Sequence, residues 1–247
     1  MRVAALYDIH GNLPALEAAL ADVQASGVNR IVVGGDVVPG PMPRECLDLL
    51  LGLDVPTSII QGNGDRAVLE CLTGRDFGHV PERAHEVIRW TAKELGDKGR
   101  SILEGWRETV SLDIRGIGEV LFCHATPRSD TEVFTRETPE EALLDVFGDV
   151  RANLVVCGHT HMQFDRMVGK TRVVNAGSVG MPYGEPGAYW LFLGQGVESI
   201  QTAYSVREAS ERVLATGYPW AREFAQSILE PRPEDEMLRL FGAARPG

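Results

Sequence analysis

Five short apolar runs in this chain each stop at a residue of metal-ligating type, and that repeated ending constrains the fold more than any other feature. Val3-Ala4-Ala5-Leu6-Tyr7 runs into Asp8-Ile9-His10-Gly11-Asn12, and Ile31-Val32-Val33 into Gly34-Gly35-Asp36. Thr57-Ser58-Ile59-Ile60 runs into Gln61-Gly62-Asn63-Gly64-Asp65, Gly118 to Cys123 into His124, and Leu154-Val155-Val156 into Cys157-Gly158-His159-Thr160-His161. Short apolar runs bounded by turn residues read as buried strands. Between the first three lie helical patterns. Pro14 suits a first turn, Leu13, Leu16, Ala19, Leu20 and Val23 keep one stripe, and Gly27 stops it; a second helix is expected over roughly Pro43 to Leu51. The order β-α-β-α-β belongs to a largely parallel sheet.

Beyond Asp65 the pattern changes twice. Residues 66–106 are mostly helical, with Ala84, Val87, Ile88, Thr91 and Leu95 on one face and breaks at Gly74, Gly78 and Pro81; they read as a helical insertion beside or over the sheet edge. The period then becomes two over Thr109 to Ile114 and Gly118 to Cys123, around a hairpin connection at Arg115-Gly116-Ile117. A helix over Glu140 to Phe147 precedes the Leu154 strand. Strands follow over Gln163 to Val168, Thr171 to Val174, Ala188 to Leu193 and Val197 to Tyr204, with a glycine-rich loop at Asn175 to Pro182. Helices over about Val206 to Ala215, Trp220 to Leu229 and Glu234 to Phe241 close the chain. Two runs of strands with helices outside them predict an α/β sandwich of two mixed sheets between helical layers. The length, 247 residues, fits one large domain.

The net charge of −11 argues against long nucleic acids, whose phosphate backbone needs a basic face. A small anionic substrate remains compatible, because bound divalent cations would dominate the local field. Cys46, Cys71, Cys123 and Cys157 lack CxxC spacing and read as small hydrophobes rather than a disulfide framework. With no transmembrane-length apolar stretch and no signal-peptide pattern, a soluble cytoplasmic protein without membrane partners is expected.

Each strand end has an ordinary reading when taken alone. Asp8 fits a helix N-cap, Asp36 and Asn63 fit turns, His124 fits a structural histidine, and His159 and His161 fit a polar loop. In an extended segment the last two would point to one side, suiting one metal or two adjacent ones. All of them lie past strand ends, at the edge where α/β sheets bind ligands. Imidazole with carboxylate suits Zn²⁺, Mn²⁺, Fe²⁺ or Ni²⁺, and the absence of a thiolate set argues against a structural zinc. Seven ligands exceed one four-coordinate site and suit two ions sharing a carboxylate, about 3.5–4 Å apart, clamping a phosphoryl group.

Asp8-Ile9-His10, Gly35-Asp36, Gly62-Asn63-Gly64-Asp65, Cys123-His124 and Gly158-His159-Thr160-His161 resemble, in order, the motifs of the calcineurin-like metallophosphoesterases. Asn175-Ala176-Gly177-Ser178-Val179-Gly180 is similar to a loop of the small bacterial and archaeal phosphodiesterase branch. The resemblance implies a four-layer αββα sandwich forming a single metallophosphoesterase domain over 1–247. It implies one metal held by Asp8, His10, Asp36 and His161 and a second by Asp36, Asn63, His124 and His159, with Asp36 bridging. It further implies a metal-activated water that cleaves a phosphoester bond, with Asn63 and His124 positioning the phosphate. The expected substrates are small phosphodiesters, with nucleotide phosphoanhydrides such as dinucleoside polyphosphates and phosphomonoesters as alternatives. Apart from the resemblance, whose motifs do not cover residues 205–247, apolar residues of the C-terminal helices would suit a homodimer face.

Gly64 departs from the family pattern, which carries there a histidine that stabilises the transition state or protonates the leaving group. Asp65, which orients that histidine, then lacks its usual partner. His79, His85 and Arg128 are candidates to approach the site from loops. Without the acid, substrates with good leaving groups are favoured. A non-catalytic scaffold, as in the retromer subunit that resembles this family, is disfavoured by the complete ligand set. A DNA-processing nuclease is disfavoured by the acidic balance and the lack of a basic capping domain.

Overall fold

Alternation of side chains along continuously apolar strands sorts the interior into layers. In the computed structural model, which describes residues 1–78 and 80–242, the first strand β1 spans Val3–Leu6. Its Ala4 and Leu6 face helices, whereas Val3, Ala5 and the following Tyr7 face a second sheet. Residues i and i+2 share a face of a strand, so a run buried on both sides divides its residues between two cores.

The first sheet orders its strands β10-β9-β1-β2-β3. Here β2 is Arg30–Val33, β3 Thr57–Ile59, β9 Ala188–Leu193 and β10 Val197–Thr202. β1, β2 and β3 are parallel, and β9 returns antiparallel against β1. The second sheet orders β4-β5-β6-β8-β7, from Thr109–Ile114, Gly118–Cys123, Leu154–Cys157, Thr171–Asn175 and Phe164–Val168 respectively. In it β5, β6 and β8 are parallel, with antiparallel strands at both edges. Val32, Phe122, Leu154, Val156 and Leu191 meet between the sheets with Tyr7, whose hydroxyl donates to Val156 O at 2.9 Å.

Helices α1 (Leu13–Ala25), α2 (Pro43–Leu51), α3 (Asn63–Leu72), α4 (His85–Leu103), α6 (Val206–Leu214) and α7 (Ala221–Leu229) share one apolar cluster with the outer face of the first sheet. The segment 66–106 thus becomes most of α3 and all of α4, with Val87, Ile88, Ala92 and Leu95 of α4 facing inward. Outside the second sheet the helical layer is thin. The helix expected over Glu140 to Phe147 divides into a single 3₁₀ turn and the four-residue α5 (Leu144–Phe147). Only eight residues lie between Pro139 and Gly148, about two turns, so helix cooperativity is weak there. Phe134, Leu143 and Phe147 cover that face instead. The fold is the expected α/β sandwich of two five-stranded mixed sheets flanked by helices. Among the described residues no helix is long and apolar enough to cross a membrane. Cys46, Cys123 and Cys157 are buried, and all four cysteines are free thiols.

Candidate metal centre

Pairing continues past the strand ends and brings the loops side by side. Asp8 N donates to Gly35 O at 3.1 Å, His10 N to Asp36 O at 2.8 Å, and Gly158 N to His124 O at 2.8 Å. Among the described residues, the non-glycine positions with positive φ are Asp8 (53°), His10 (48°), Asp36 (49°), His159 (67°) and His161 (59°). All five are candidate ligands. A left-handed L-residue costs on the order of 1–2 kcal/mol, so strain is concentrated where ligands are presented. This replaces the extended geometry expected at His159 and His161. A Cβ at Gly158 would meet Asp8 Oδ2 and the Tyr7 ring at 2.5 Å, so the chain passes tightly over Asp8 before turning. His159 N then donates to Asp8 Oδ2 at 2.8 Å. Asp8 is therefore no helix cap; Asn12 takes that role, its side chain accepting from Ala15 N.

The side chains converge as lone pairs. Asp8 is fully buried and, among the described residues, its Oδ1 has no hydrogen-bond partner. That oxygen lies 3.5 Å from His161 Nε2 and 3.9 Å from both His10 Nε2 and His124 Nε2. Asp36 Oδ2 lies 3.7 Å from His10 Nε2, and Asp36 Oδ1 lies 3.8 Å from His124 Nε2. The Nδ1 atoms sit against backbone carbonyls: His10 on Pro39 O at 3.2 Å, His124 on Gly34 O at 2.9 Å, His161 on Met181 O at 2.7 Å. Each carbonyl accepts the Nδ1 proton, which leaves the Nε2 lone pair turned inward. His10 Nε2 and His161 Nε2 are then only 3.2 Å apart. An orphan carboxylate oxygen ringed by imidazole lone pairs is costly when bare and fits a cation. Asp8, His10 and His161 form one group positioned for a metal ion, and Asp8, Asp36 and His124 another. Asp8 faces both groups, whereas the sequence assigned it to one.

Asn63 and His159 extend the second group. With its oxygen inward, Asn63 Oδ1 is 3.0 Å from His124 Nε2, a lone pair aimed at a lone pair. With the amide turned, its nitrogen donates to His124 Nε2 and His159 Nδ1, each at 3.0 Å, and to Asp130 O at 3.3 Å. The first orientation suits a cation and the second suits its absence. The His159 ring lies edge-on to His124, centroids 5.2 Å apart.

Burial and charge compete in this cluster. Burial would raise the Asp8 carboxyl, but the charge of His161, 3.5 Å away, with His124 and His10 beyond it, holds it below the usual carboxylate range. Burial would lower His124 and His161, yet Asp36 and Asp8 beside the first and Asp8 beside the second raise both. Burial lowers His10, and lowers His159 to about 4 with help from the His124 charge.

Several contacts were not visible in the sequence. Asp65, without a histidine to orient, accepts from Val37 N, Val38 N and Gly62 N at 2.9, 3.0 and 3.1 Å, tying the start of α3 to the Asp36 loop. Burial, then the Asp36 charge, pushes its carboxyl up to about 7 against those donors. Gly64 donates to Asp36 Oδ1 at 2.7 Å, and a Cβ there would meet Pro39 Cγ at 2.6 Å. Gly35 has φ of +93°, and a Cβ on it would meet Gly62 N at 2.6 Å and His124 Nδ1 at 2.8 Å. In the glycine-rich loop, Asn175 donates to Gly158 O at 2.6 Å and Ser178 to Asp8 O at 2.8 Å. Tyr183 stacks on His161, centroids 5.5 Å apart, and its far side meets Phe241 of the last helix, α8 (Glu234–Gly242). Of the candidates for the missing acid, His79 lies outside the described residues. His85 turns its Nε2 to Val80 O at 2.9 Å and its ring onto Phe77. Arg128 is paired with Glu132 and lines a cavity whose wall includes His124.

Comparison with known proteins agrees with this geometry. A model of the calcineurin-like phosphoesterase superfamily domain matches residues 1–193. The uncharacterized protein MJ0912 of Methanocaldococcus jannaschii is 27% identical over 243 residues, 90% of this chain and 96% of that protein. The hypothetical protein PH1004 of Pyrococcus horikoshii superposes with a TM-score of 0.79 at 21% identity, over 92% of this chain and 97% of that one. A metallophosphoesterase from Sphaerobacter thermophilus superposes with a TM-score of 0.73 at 25% identity, over 93% and 99%. With the family model covering most of its length, this chain belongs to the calcineurin-like phosphoesterase superfamily.

Proposed function

We propose that the chain hydrolyses phosphoester bonds of small phosphorylated compounds, acting as a phosphodiesterase. Two divalent transition-metal ions, of the Mn²⁺, Fe²⁺, Zn²⁺ or Ni²⁺ class, are proposed in the cluster. Asp8, His10, Asp36 and His161 would hold one, and Asp36, Asn63, His124 and His159 the other. The observation that carries this reading is the buried, unpartnered Asp8 Oδ1 within 3.9 Å of three imidazole Nε2 atoms. When bound, such ions would supply charge neutralisation at phosphoryl oxygens and a lowered pKa for a bound water.

The chain's own contribution is orientation. Pro39, Gly34 and Met181 carbonyls fix three histidine tautomers, so those rings need no reorganisation to present Nε2. Asp65 and the Gly64 N–H hold Asp36 between the two groups. His124 lines the cavity and Asn63 lies 3.0 Å from its Nε2, and the two would orient the phosphate. Gly64 donates no side-chain proton, so an unassisted leaving oxygen must depart as a weak base; the missing help, typically worth roughly 10²–10⁴-fold, weighs most on alkyl esters, and nitrophenyl esters should be strongly preferred.

The test is chelator treatment followed by reconstitution with Mn²⁺, Ni²⁺, Zn²⁺ or Mg²⁺ against phosphodiesters, phosphoanhydrides and phosphomonoesters. Two metals per chain with turnover fastest on diesters is the expected result. Metal binding without turnover of any phosphoester would overturn the hydrolase reading.

A further inference from the structure

A cavity of about 210 Å³ opens beside the cluster, with His124 in its wall. Gln61 and Arg66, flanking Asn63 in sequence, line one part; Glu108, Thr109 at the start of β4 and the turn Thr126 to Asp130 line the rest. The two guanidiniums that line it are already paired, and Glu108 adds a further carboxylate to the wall. Arg66 grips Asp130 through Nε–Oδ2 at 2.6 Å and Nη2–Oδ1 at 3.0 Å and reaches Glu70 at 3.4 Å. Arg128 holds Glu132 at 2.8 Å. A second phosphate group would have to displace these carboxylates and then lie against them. Among the described residues no Phe, Tyr or Trp lines the cavity, so a nucleobase finds no stacking platform there. The volume is also below the usual range for sites of drug-sized ligands. What remains is a small chamber walled by hydroxyls, an amide, guanidinium edges and carboxylates, the groups that pair with alcohols.

Resting on the hydrolase reading above, we infer that this cavity is the subsite for one alcohol moiety of the phosphodiester, and that this moiety is a small uncharged polyol. A glyceryl or comparable polyhydroxylated group fits it; a nucleoside or a second phosphate does not. The subsite would sort substrates by the alcohol they carry, separately from the cluster that engages the phosphate.

The experiment holds the leaving group constant. The metal-loaded protein is assayed on 4-nitrophenyl phosphate diesters whose second alcohol is glyceryl, ethyl or thymidyl. Two additional hydroxyls finding partners should raise kcat/KM for the glyceryl ester over the ethyl ester by roughly tenfold, with the thymidyl ester no better than ethyl. Thr109→Phe, which places a ring in the chamber from a strand position that accepts aromatics, should bring the glyceryl-to-ethyl ratio below about twofold. An independent readout needs no turnover and no variant: glycerol 3-phosphate should shift the amide resonances of Thr126 and Ser129, whereas inorganic phosphate should not. A flat or thymidyl-favouring series, or equal shifts from both ligands, overturns the inference while leaving the hydrolase reading intact. Failure to hydrolyse any of the three diesters with any metal overturns the inference together with the phosphodiesterase reading, and the panel of monoesters and phosphoanhydrides then decides the hydrolase reading.

Discussion

The two halves of the cluster are built differently. In the first, His10 and His161 have their Nδ1 atoms seated on Pro39 O and Met181 O, and Tyr183 backs His161 under α8. In the second, His124 is seated on Gly34 O, but His159 offers Nδ1 itself, and the group facing it is the Asn63 amide. The first half is preformed. In the second, either end of the Asn63 amide can face the imidazoles, oxygen at 3.0 Å from His124 Nε2 or nitrogen toward His124 and His159, so the fold does not fix its donor atom. Preorganised ligands bind more tightly because less is reordered. The comparison therefore teaches that, if both proposed ions bind, the two groups sharing Asp8 and Asp36 should differ in affinity, with the first filling before the second.

The largest expected effect comes from the carboxylate facing both halves. Asp36→Asn removes the charge that would offset both cations, so hydrolysis should fall by at least about 100-fold and bound metal should drop in both halves. Elemental analysis showing two metals per chain with near wild-type activity would sink the shared role of Asp36.

His159→Ala attacks only the reorganising half. Calorimetric titration of the stripped wild type with Mn²⁺ should resolve a tight and a weak class, and the variant should keep the tight one within about threefold while losing the weak one. Equal weakening of both classes would show that the halves are not separable.

Gly64→His tests a link from the second half back to the first. Gly64 is not in the left-handed region; what excludes a side chain is Pro39, whose ring a Cβ would strike at 2.6 Å and whose carbonyl seats His10. The single variant should therefore lose metal affinity by roughly 10–100-fold, the usual cost of disturbing a ligand's support, before any gain from a new acid appears. Pro39→Gly combined with Gly64→His should recover metal and speed alkyl leaving groups selectively. A fully metallated single variant would remove Pro39 from the explanation.

The smallest effect concerns pH in the metal-free protein. His159 falls to about 4 in the fold against 6.5 as the ordinary value, and His10 also falls. Between those limits the unfolded chain takes protons that folded His159 refuses, so stability is lost as pH drops from 6.5 toward 4. His124 and His161, raised in the fold, contribute with opposite sign: their stabilisation is present below 6.5 and fades as pH rises through their folded values. His159→Asn should flatten the acid-side decline by on the order of 1–3 kcal/mol in denaturant titrations of chelated protein. Identical declines for both proteins would assign it elsewhere.

The sequence by itself determined the alternation of strands and helices, the strand endings, and the identity of the residues gathered at one edge. These follow from short-range pattern: an apolar run bounded by Gly, Asp or His is a strand that stops, and parallel strands stop on the same side. It also located the departure at Gly64. Tertiary structure decided how those residues are used. The left-handed backbone at Asp8, His10, Asp36, His159 and His161 arises where loops from two sheets crowd together, which local propensity does not report. The seats for the histidines come from Gly34, Pro39 and Met181, and neither their carbonyls nor their distance in sequence marks them for that role. Asp65 found three backbone donors only because α3 begins against the Asp36 loop, and Pro39 excludes a side chain at position 64 only because that loop folds over it. A ligand's chemical type is written in its side chain, but its lone-pair direction and its neighbours are fixed by groups far away in the chain, and those meet only when the two sheets close on each other.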